Sequence, residues 1–146
     1  MVCENQMVLE IPSKSINEAF ARSAVACFAS QLDPTLDELG DIKTAVSEAV
    51  TNSIVHAYPD QIGTIVIRCR ILQNRILEIQ VRDKGRGIEN ITEARKPMFT
   101  TGGEERSGMG FTIMESFMHE LRVTSKQGKG TSITMRRKIP QKGGKV

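Results

Sequence analysis

Apolar and polar positions alternate at the start of the chain, where Met7, Leu9 and Ile11 bracket Val8 and Glu10. A two-residue period predicts a strand with one buried face, and Pro12 ends it because proline cannot donate to a sheet ladder. The period then lengthens. Ser15-Ile16-Asn17-Glu18 has the form of a capping box, and Ile16, Phe20, Ala24, Cys27 and Phe28 recur at helical spacing until Asp33-Pro34. Thr35-Leu36-Asp37-Glu38 is a second capping box. It opens a predicted helix to about His56, with Leu39, Ile42, Val46, Ala49, Val50 and Ser53 along one face.

After the turn residues Tyr58-Pro59-Asp60 and Gly63, alternation returns twice. Ile65, Ile67 and Ile71 mark a strand over Thr64–Leu72, and Leu77, Ile79 and Val81 mark one over Ile76–Asp83. Gln73-Asn74-Arg75 joins them as a hairpin turn. From Lys84 to Gly110 the pattern weakens, with a short helix expected over Thr92–Arg95. A third helix starts near Gly108, carrying Phe111, Ile113, Met114 and Phe117. Strands over Leu121–Ser125 and Thr131–Ile139 flank the turn Gln127-Gly128-Lys129-Gly130. The order predicts an α+β two-layer sandwich: a mixed, mostly antiparallel sheet with helices on one face. The loop of roughly 20 residues before Gly108 exceeds the usual connection length, and such loops are expected to be either functional lids or disordered.

Composition narrows the class. The 146 residues are 39% hydrophobic and 25% charged, as in a globular domain, and no apolar run approaches the roughly 20 residues of a membrane helix. Residues 1–139 are expected to form one domain and 140–146 a basic flexible tail. The N-terminal residues lack the layout of a signal peptide. Cys3, Cys27 and Cys69 form no C-x-x-C pair, so neither a disulfide framework nor a zinc site is indicated, and a cytoplasmic location is expected. A net charge of +3 is too small to point to nucleic acid, and the late cluster Arg136, Arg137, Lys138, Lys142 and Lys145 has no interleaved aromatics.

Four segments carry candidate chemistry. Glu48 and Asn52 are one helical turn apart, on a face roughly opposite Leu39, Val46 and Val50. An amide carbonyl there suits Mg²⁺ and a carboxylate one turn away suits a general base, although a solvated helix face shows the same residues. Asp83 ends its strand on the apolar face, so its carboxylate is directed inward and needs donors, of which an adenine amino group is one. Gly85 and Gly87 follow it, as they would in a simple turn or where a flat base meets backbone. Arg106-Ser107-Gly108-Met109-Gly110 enters a helix, where free N–H groups and a fixed cation favour an anion; a hinge has the same composition. Gly130-Thr131 starts the last strand and alone is only a turn.

Taken in order, Glu48-x-x-x-Asn52, Asp83-x-Gly85-x-Gly87, Gly108-Met109-Gly110 and Gly130-Thr131 resemble the boxes of the GHKL ATPase/kinase superfamily over nearly the whole chain. The resemblance implies the Bergerat fold, with ATP held between helices and sheet under a lid. It implies that Asp83 meets the adenine amino group with support from Thr131, that Asn52 holds Mg²⁺, and that Ser107, Gly108, Met109 and Gly110 cradle phosphates. It also implies that Thr100, Thr101 and Arg106 belong to the lid and reach toward the phosphates. Walker A and the H-R-D and D-F-G signatures are absent. The length leaves no room for the extra domains of gyrase-, MutL- or chaperone-type members, and neither His56 nor His119 lies on a phosphoacceptor segment, so action on a partner in trans is expected.

Within the superfamily, Gln31-Leu32-Asp33-Pro34-Thr35, Ser47-Glu48-Ala49-Val50-Thr51-Asn52, Pro97-Met98-Phe99-Thr100-Thr101 and Arg106 through Glu115 are similar to the anti-sigma F factor family of spore-forming bacteria. That resemblance implies a homodimer that holds sporulation sigma factor F inactive. It further implies a serine kinase acting on an anti-anti-sigma factor, with Glu48 as base. General-stress sigma factor B is an alternative partner, and sequestration without phosphoryl transfer an alternative activity. The family's Lys-Pro after the lid threonines is replaced by Gly102-Gly103, one residue shorter. Arg22, on the polar side of the first helix, is either a solubilising charge or a partner contact.

Overall fold

In the computed structural model of the chain, residues 1–88 and 110–142 are described. Strand β1 (Cys3–Pro12) leads into helix α1 (Asn17–Ala29) and a single 3₁₀ turn, and helix α2 (Leu36–Asn52) continues as one wide π turn over Ser53–Ala57. Strands β2 (Thr64–Leu72) and β3 (Ile76–Asp83) follow, then helix α3 (Gly110–Phe117) and strands β4 (Glu120–Lys126) and β5 (Gly130–Lys138). The sheet runs β1-β2-β3-β5-β4, and every one of its pairings is antiparallel. The expected helix over Thr92–Arg95 lies outside the described residues.

The register puts one residue set of each strand under the helices. Ile65, Ile67, Cys69 and Ile71 of β2 align with Leu77, Ile79 and Val81 of β3 and Ile133 and Met135 of β5, and all are buried. Val25 of α1, Ile42, Val46, Ala49 and Val50 of α2 and Met114 of α3 close the core from above. Each of the Val, Ile, Leu and Met side chains among them contributes roughly 1.5–3 kcal/mol by leaving water. Burial pushes the Cys69 thiol up to about 12, so it remains a neutral apolar filler. Helix α2 is the centre of the upper layer, packed between α1 and α3.

The Thr35 capping box forms as expected: Glu38 N–H donates to Thr35 Oγ1 (3.1 Å) and Thr35 N–H to Glu38 Oε1 (2.8 Å). The one at Ser15 does not. Asn17 and Glu18 N–H groups donate to the carbonyls of Lys14 and Ser15, and α1 starts without a side-chain cap. The Glu18 carboxylate instead accepts from Ser47 Oγ of α2 (2.6 Å). The buried face of α1 also differs from expectation. Ala21, Val25, Phe28 and Ala29 point inward, while Ile16 and Phe20 are 79% and 53% exposed. Alanines let α1 lie close to its neighbours, which a face of larger side chains would prevent.

The far face of the sheet is polar but tightly organised. Glu78, 2% exposed, faces Arg70 on β2 and Arg136 on β5. Arg70 Nε donates to its Oε1 (2.7 Å) and Arg136 Nε to its Oε2 (2.8 Å), with both guanidinium Nη2 groups also in ion-pair range. Burial pushes the Glu78 carboxyl up, but the hydrogen bonds and charges of Arg70 and Arg136 outweigh it and hold the group below its usual range. A depressed carboxyl adds stability above its unfolded-state value, and that stability disappears as pH falls through the lower folded value. Glu78→Gln is therefore expected to cost about 3 kcal/mol at pH 7 by leaving the arginines without their anion. Urea unfolding of both proteins checks this, and the difference is expected to shrink steadily below pH 4.5, the group's ordinary value.

Candidate functional site

The site forms where β3 ends beneath the π turn. Asp83 is the last residue of β3, faces the helices as its alternation requires, and is only 8% exposed. Three donors converge on its carboxylate. Ser53 Oγ donates to Oδ2 (2.9 Å), and the N–H groups of Gly85 (3.0 Å) and Thr131 (3.2 Å) donate to Oδ1. They come from the π turn, the loop after β3 and the start of β5. No cation pairs with Asp83 among the described residues. Burial raises its carboxyl above the usual range, opposed by the bonds from Gly85, Ser53 and Thr131. A carboxylate offers about four acceptor positions. Three are taken, so one remains for a further donor.

Neutral donors replace a counterion here because the backbone is brought in close. Gly85 lies so near Ala57 that a Cβ would stand 2.3 Å from the Ala57 carbonyl oxygen. No side chain other than hydrogen fits, and Arg86 N–H completes the junction by donating to the same oxygen (3.1 Å). Gly87 has φ of +77° and faces the Lys126 carbonyl, so the chain reverses toward the β4–β5 hairpin. The glycines thus serve backbone-to-backbone contact first, which keeps Gly85 N–H aimed at Asp83. Tyr58 Oη fixes the same junction, accepting from Lys84 N–H (2.7 Å) and donating to the Thr64 carbonyl (2.9 Å).

Thr131 supports Asp83 through its backbone. Its hydroxyl is held by Ser125 Oγ (2.8 Å), which also donates to the Gly130 carbonyl and accepts from Ile88 N–H. Sequence reasoning missed Ser53 and Ser125. Ser53 appeared as one member of the apolar stripe of α2, and the signal available was that a hydroxyl on a buried face must find a partner.

Glu48 and Asn52 sit half-buried on α2, one turn apart as expected. Glu48 turns toward the start of α3: its Oε1 lies 4.0 Å from where a Gly110 Cβ would be. The Asn52 amide makes no hydrogen bond among the described residues. It closes the regular part of α2 just before the π turn, a feature often found at functional sites. Arg22 is half-exposed on α1 and paired with Glu18 (3.7 Å). Its partner Glu18 in turn accepts from Ser47 Oγ, the residue before Glu48. Thr100, Thr101, Arg106, Ser107, Gly108 and Met109 lie outside the described residues.

The raised Asp83 carboxyl carries a sign that can be tested. A group raised in the folded state adds stability below its unfolded value and loses it as pH rises through the folded value. Asp83→Asn, which keeps an oxygen for Gly85 and Thr131, is therefore expected to be as stable as the parent at pH 8 or more stable. Thermal unfolding of the nucleotide-free proteins between pH 4 and pH 8 checks this, with the variant gaining relative to the parent as pH rises.

Comparison with known proteins gives the fold a family. A family model for the histidine kinase-like ATPase domain matches residues 11–137. The anti-sigma F factor of Caldanaerobacter subterraneus subsp. tengcongensis is 57% identical over 140 residues, covering 95% of this chain and 97% of the relative. That of Clostridium acetobutylicum is 54% identical over 137 residues, covering 93% and 95%. Among solved structures, the RsbU and RsbW domains of Rv1364c from Mycobacterium tuberculosis superpose with a TM-score of 0.67 over 92% of this chain and 32% of that one. At 18% identity, that likeness speaks to the fold alone. The open antiparallel sheet with α1, α2 and α3 packed on one face is thus that of a histidine kinase-like ATPase domain, and the chain belongs to that family and, within it, to the family of the anti-sigma F factors.

Proposed function

We propose that the chain binds ATP at Asp83, holds sigma factor F inactive, and transfers the γ-phosphoryl group of ATP to a serine of an anti-anti-sigma factor. One observation carries the nucleotide reading: a buried carboxylate, without a cation among the described residues, is fixed by three neutral donors with one acceptor position left over. An exocyclic amino group such as that of adenine supplies the missing donor. The names of the relatives support the sigma-factor reading.

The remaining residues take roles that fit their positions. Among the described residues, no three His, Cys, Asp or Glu side chains gather to hold a metal. Asn52, half-buried with its amide unbonded among those residues, would hold Mg²⁺ together with the phosphates, since Mg²⁺ accepts few protein ligands beside phosphate oxygens. Bound there, Mg²⁺ offsets phosphate charge. Glu48, one turn earlier, acts as the base. The serine oxygen bonds to the γ-phosphorus while the bond from that phosphorus to the bridging oxygen breaks. The hydroxyl proton passes to Glu48 and ADP leaves. Thr100, Thr101, Arg106, Ser107, Gly108, Met109 and Gly110 keep the phosphate-facing roles that the family resemblance gives them. Arg22 contacts the sigma factor, the substrate, or both. A homodimer is part of the same reading, supported by exposed Ile16 and Phe20, which a second copy would cover.

The test follows phosphate from Mg·ATP onto a purified anti-anti-sigma factor. Transfer to a serine is expected for the parent chain and a loss of at least about 100-fold for Glu48→Gln, with ATP and sigma binding retained. ATP binding without transfer by the parent chain would leave sequestration as the activity. Arg22→Ala is expected to weaken sigma binding, substrate binding or both by about tenfold or more, read by titration calorimetry. Unchanged affinities would remove Arg22 from the interface.

A further inference from the structure

The face of the sheet away from the helices holds a feature that the nucleotide site does not use. Arg82 follows the alternation of β3 outward while Asp83 faces in. Its register neighbours are Ser132 on β5 and, beyond it, Thr124 on β4, so the three stand in a row across the sheet. Lys126 is two residues beyond Thr124 on the same face of β4, and Lys129 lies in the β4–β5 turn. Together these side chains line an open recess of about 340 Å³.

The charges in this recess are unbalanced. Arg68, Arg70 and Arg136 share Glu78 as ion-pair partner, Arg122 stands 3.6 Å from Glu120, and Arg137 is bound to Asp41 (2.7 Å). Arg82 is the one strand arginine with no ion pair or side-chain hydrogen bond among the described residues, and Lys126 and Lys129 have none either. The single acid at the recess wall, Asp83, gives its oxygens to Ser53, Gly85 and Thr131 on the other side of the sheet. Among the described residues, three cations therefore line the recess with no paired anion, beside hydroxyls able to complete an anion's hydrogen bonds.

We propose that this recess is a docking site for an acidic segment of a protein partner, lying across β4 and β5 toward β3. Its carboxylates meet Lys126 and Lys129 at the β4–β5 hairpin and Arg82 on β3, with the hydroxyls of Thr124 and Ser132 between them. No aromatic side chain lines the recess, so nucleic-acid bases find no stacking platform there. Asp83 and Thr131 stand in the wall of this recess as well as in the proposed nucleotide site, and the docking reading does not rest on the kinase reading.

Fluorescence anisotropy of a labelled hexaglutamate peptide with the full-length protein at low salt tests the proposal. Arg82→Glu combined with Lys126→Glu is expected to weaken binding by about tenfold or more. A charge-matched control, Lys14→Glu in the β1–α1 loop with Lys43→Glu on α2, is expected to change it by less than about twofold. Saturating Mg·ATP is expected to leave the peptide bound. An equal loss in the control variant, displacement by ATP, tighter binding of a six-nucleotide DNA strand, or no peptide binding by the parent would each overturn the proposal. Urea midpoints of both variants establish that they fold. If the double reversal does not fold, Lys126→Ala combined with Lys129→Ala at the exposed edge gives the same comparison, with no loss of peptide affinity as the overturning result.

Discussion

A buried anion without a counterion organises this domain. Asp83 gathers one donor each from the π turn after α2, the loop after β3 and the start of β5, so the helical layer and the sheet meet at a single carboxylate. Taking an ionised carboxylate out of water is costly, and three neutral hydrogen bonds offset only part of that cost. The raised carboxyl of Asp83 records what remains. A ligand that brings one more donor would recover the difference, and the proposed adenine contact rests on that gain.

The two faces of the sheet treat charge in opposite ways. On the far face, Glu78 is also buried, but paired arginines on the neighbouring strands hold it well ionised. That arrangement fixes β2, β3 and β5 in register, because a shift by one residue would send Glu78 into the apolar core. The inner face leaves its acid under-compensated; the outer corner leaves its cations so. In a chain whose other strand arginines have partners, these two imbalances mark where binding is expected.

How far the sequence could be read varies by element. The strands alternate cleanly, and α2 has a capping box whose partners are three residues apart, so local chemistry decided both. Helix α1 is apolar on more than one side. Ile16, Phe20 and Ala24 satisfy the helical period as well as Ala21, Val25 and Phe28 do, and only the close approach to α2 and the sheet selects the small-residue face. Glu18 looked like a capping residue because its true partner, Ser47, is 29 residues away. At the site, Asp83 was legible because an acid ended an apolar face. Ser53 was not, since its meaning depends on a π turn that no spacing announces and on a carboxylate 30 residues on. Gly85 was rightly marked as a close approach, but what approaches is the Ala57 backbone.

The most direct test of the Asp83 account compares ATP and GTP binding to the parent chain and to Asp83→Asn by titration calorimetry. Adenine presents an amino donor where guanine presents a carbonyl acceptor. The account predicts that the parent binds ATP and discriminates against GTP, and that Asp83→Asn loses on the order of 10–100-fold in ATP affinity along with most of that discrimination. Equal binding of ATP and GTP by the parent, or undiminished ATP affinity in Asp83→Asn, would contradict it.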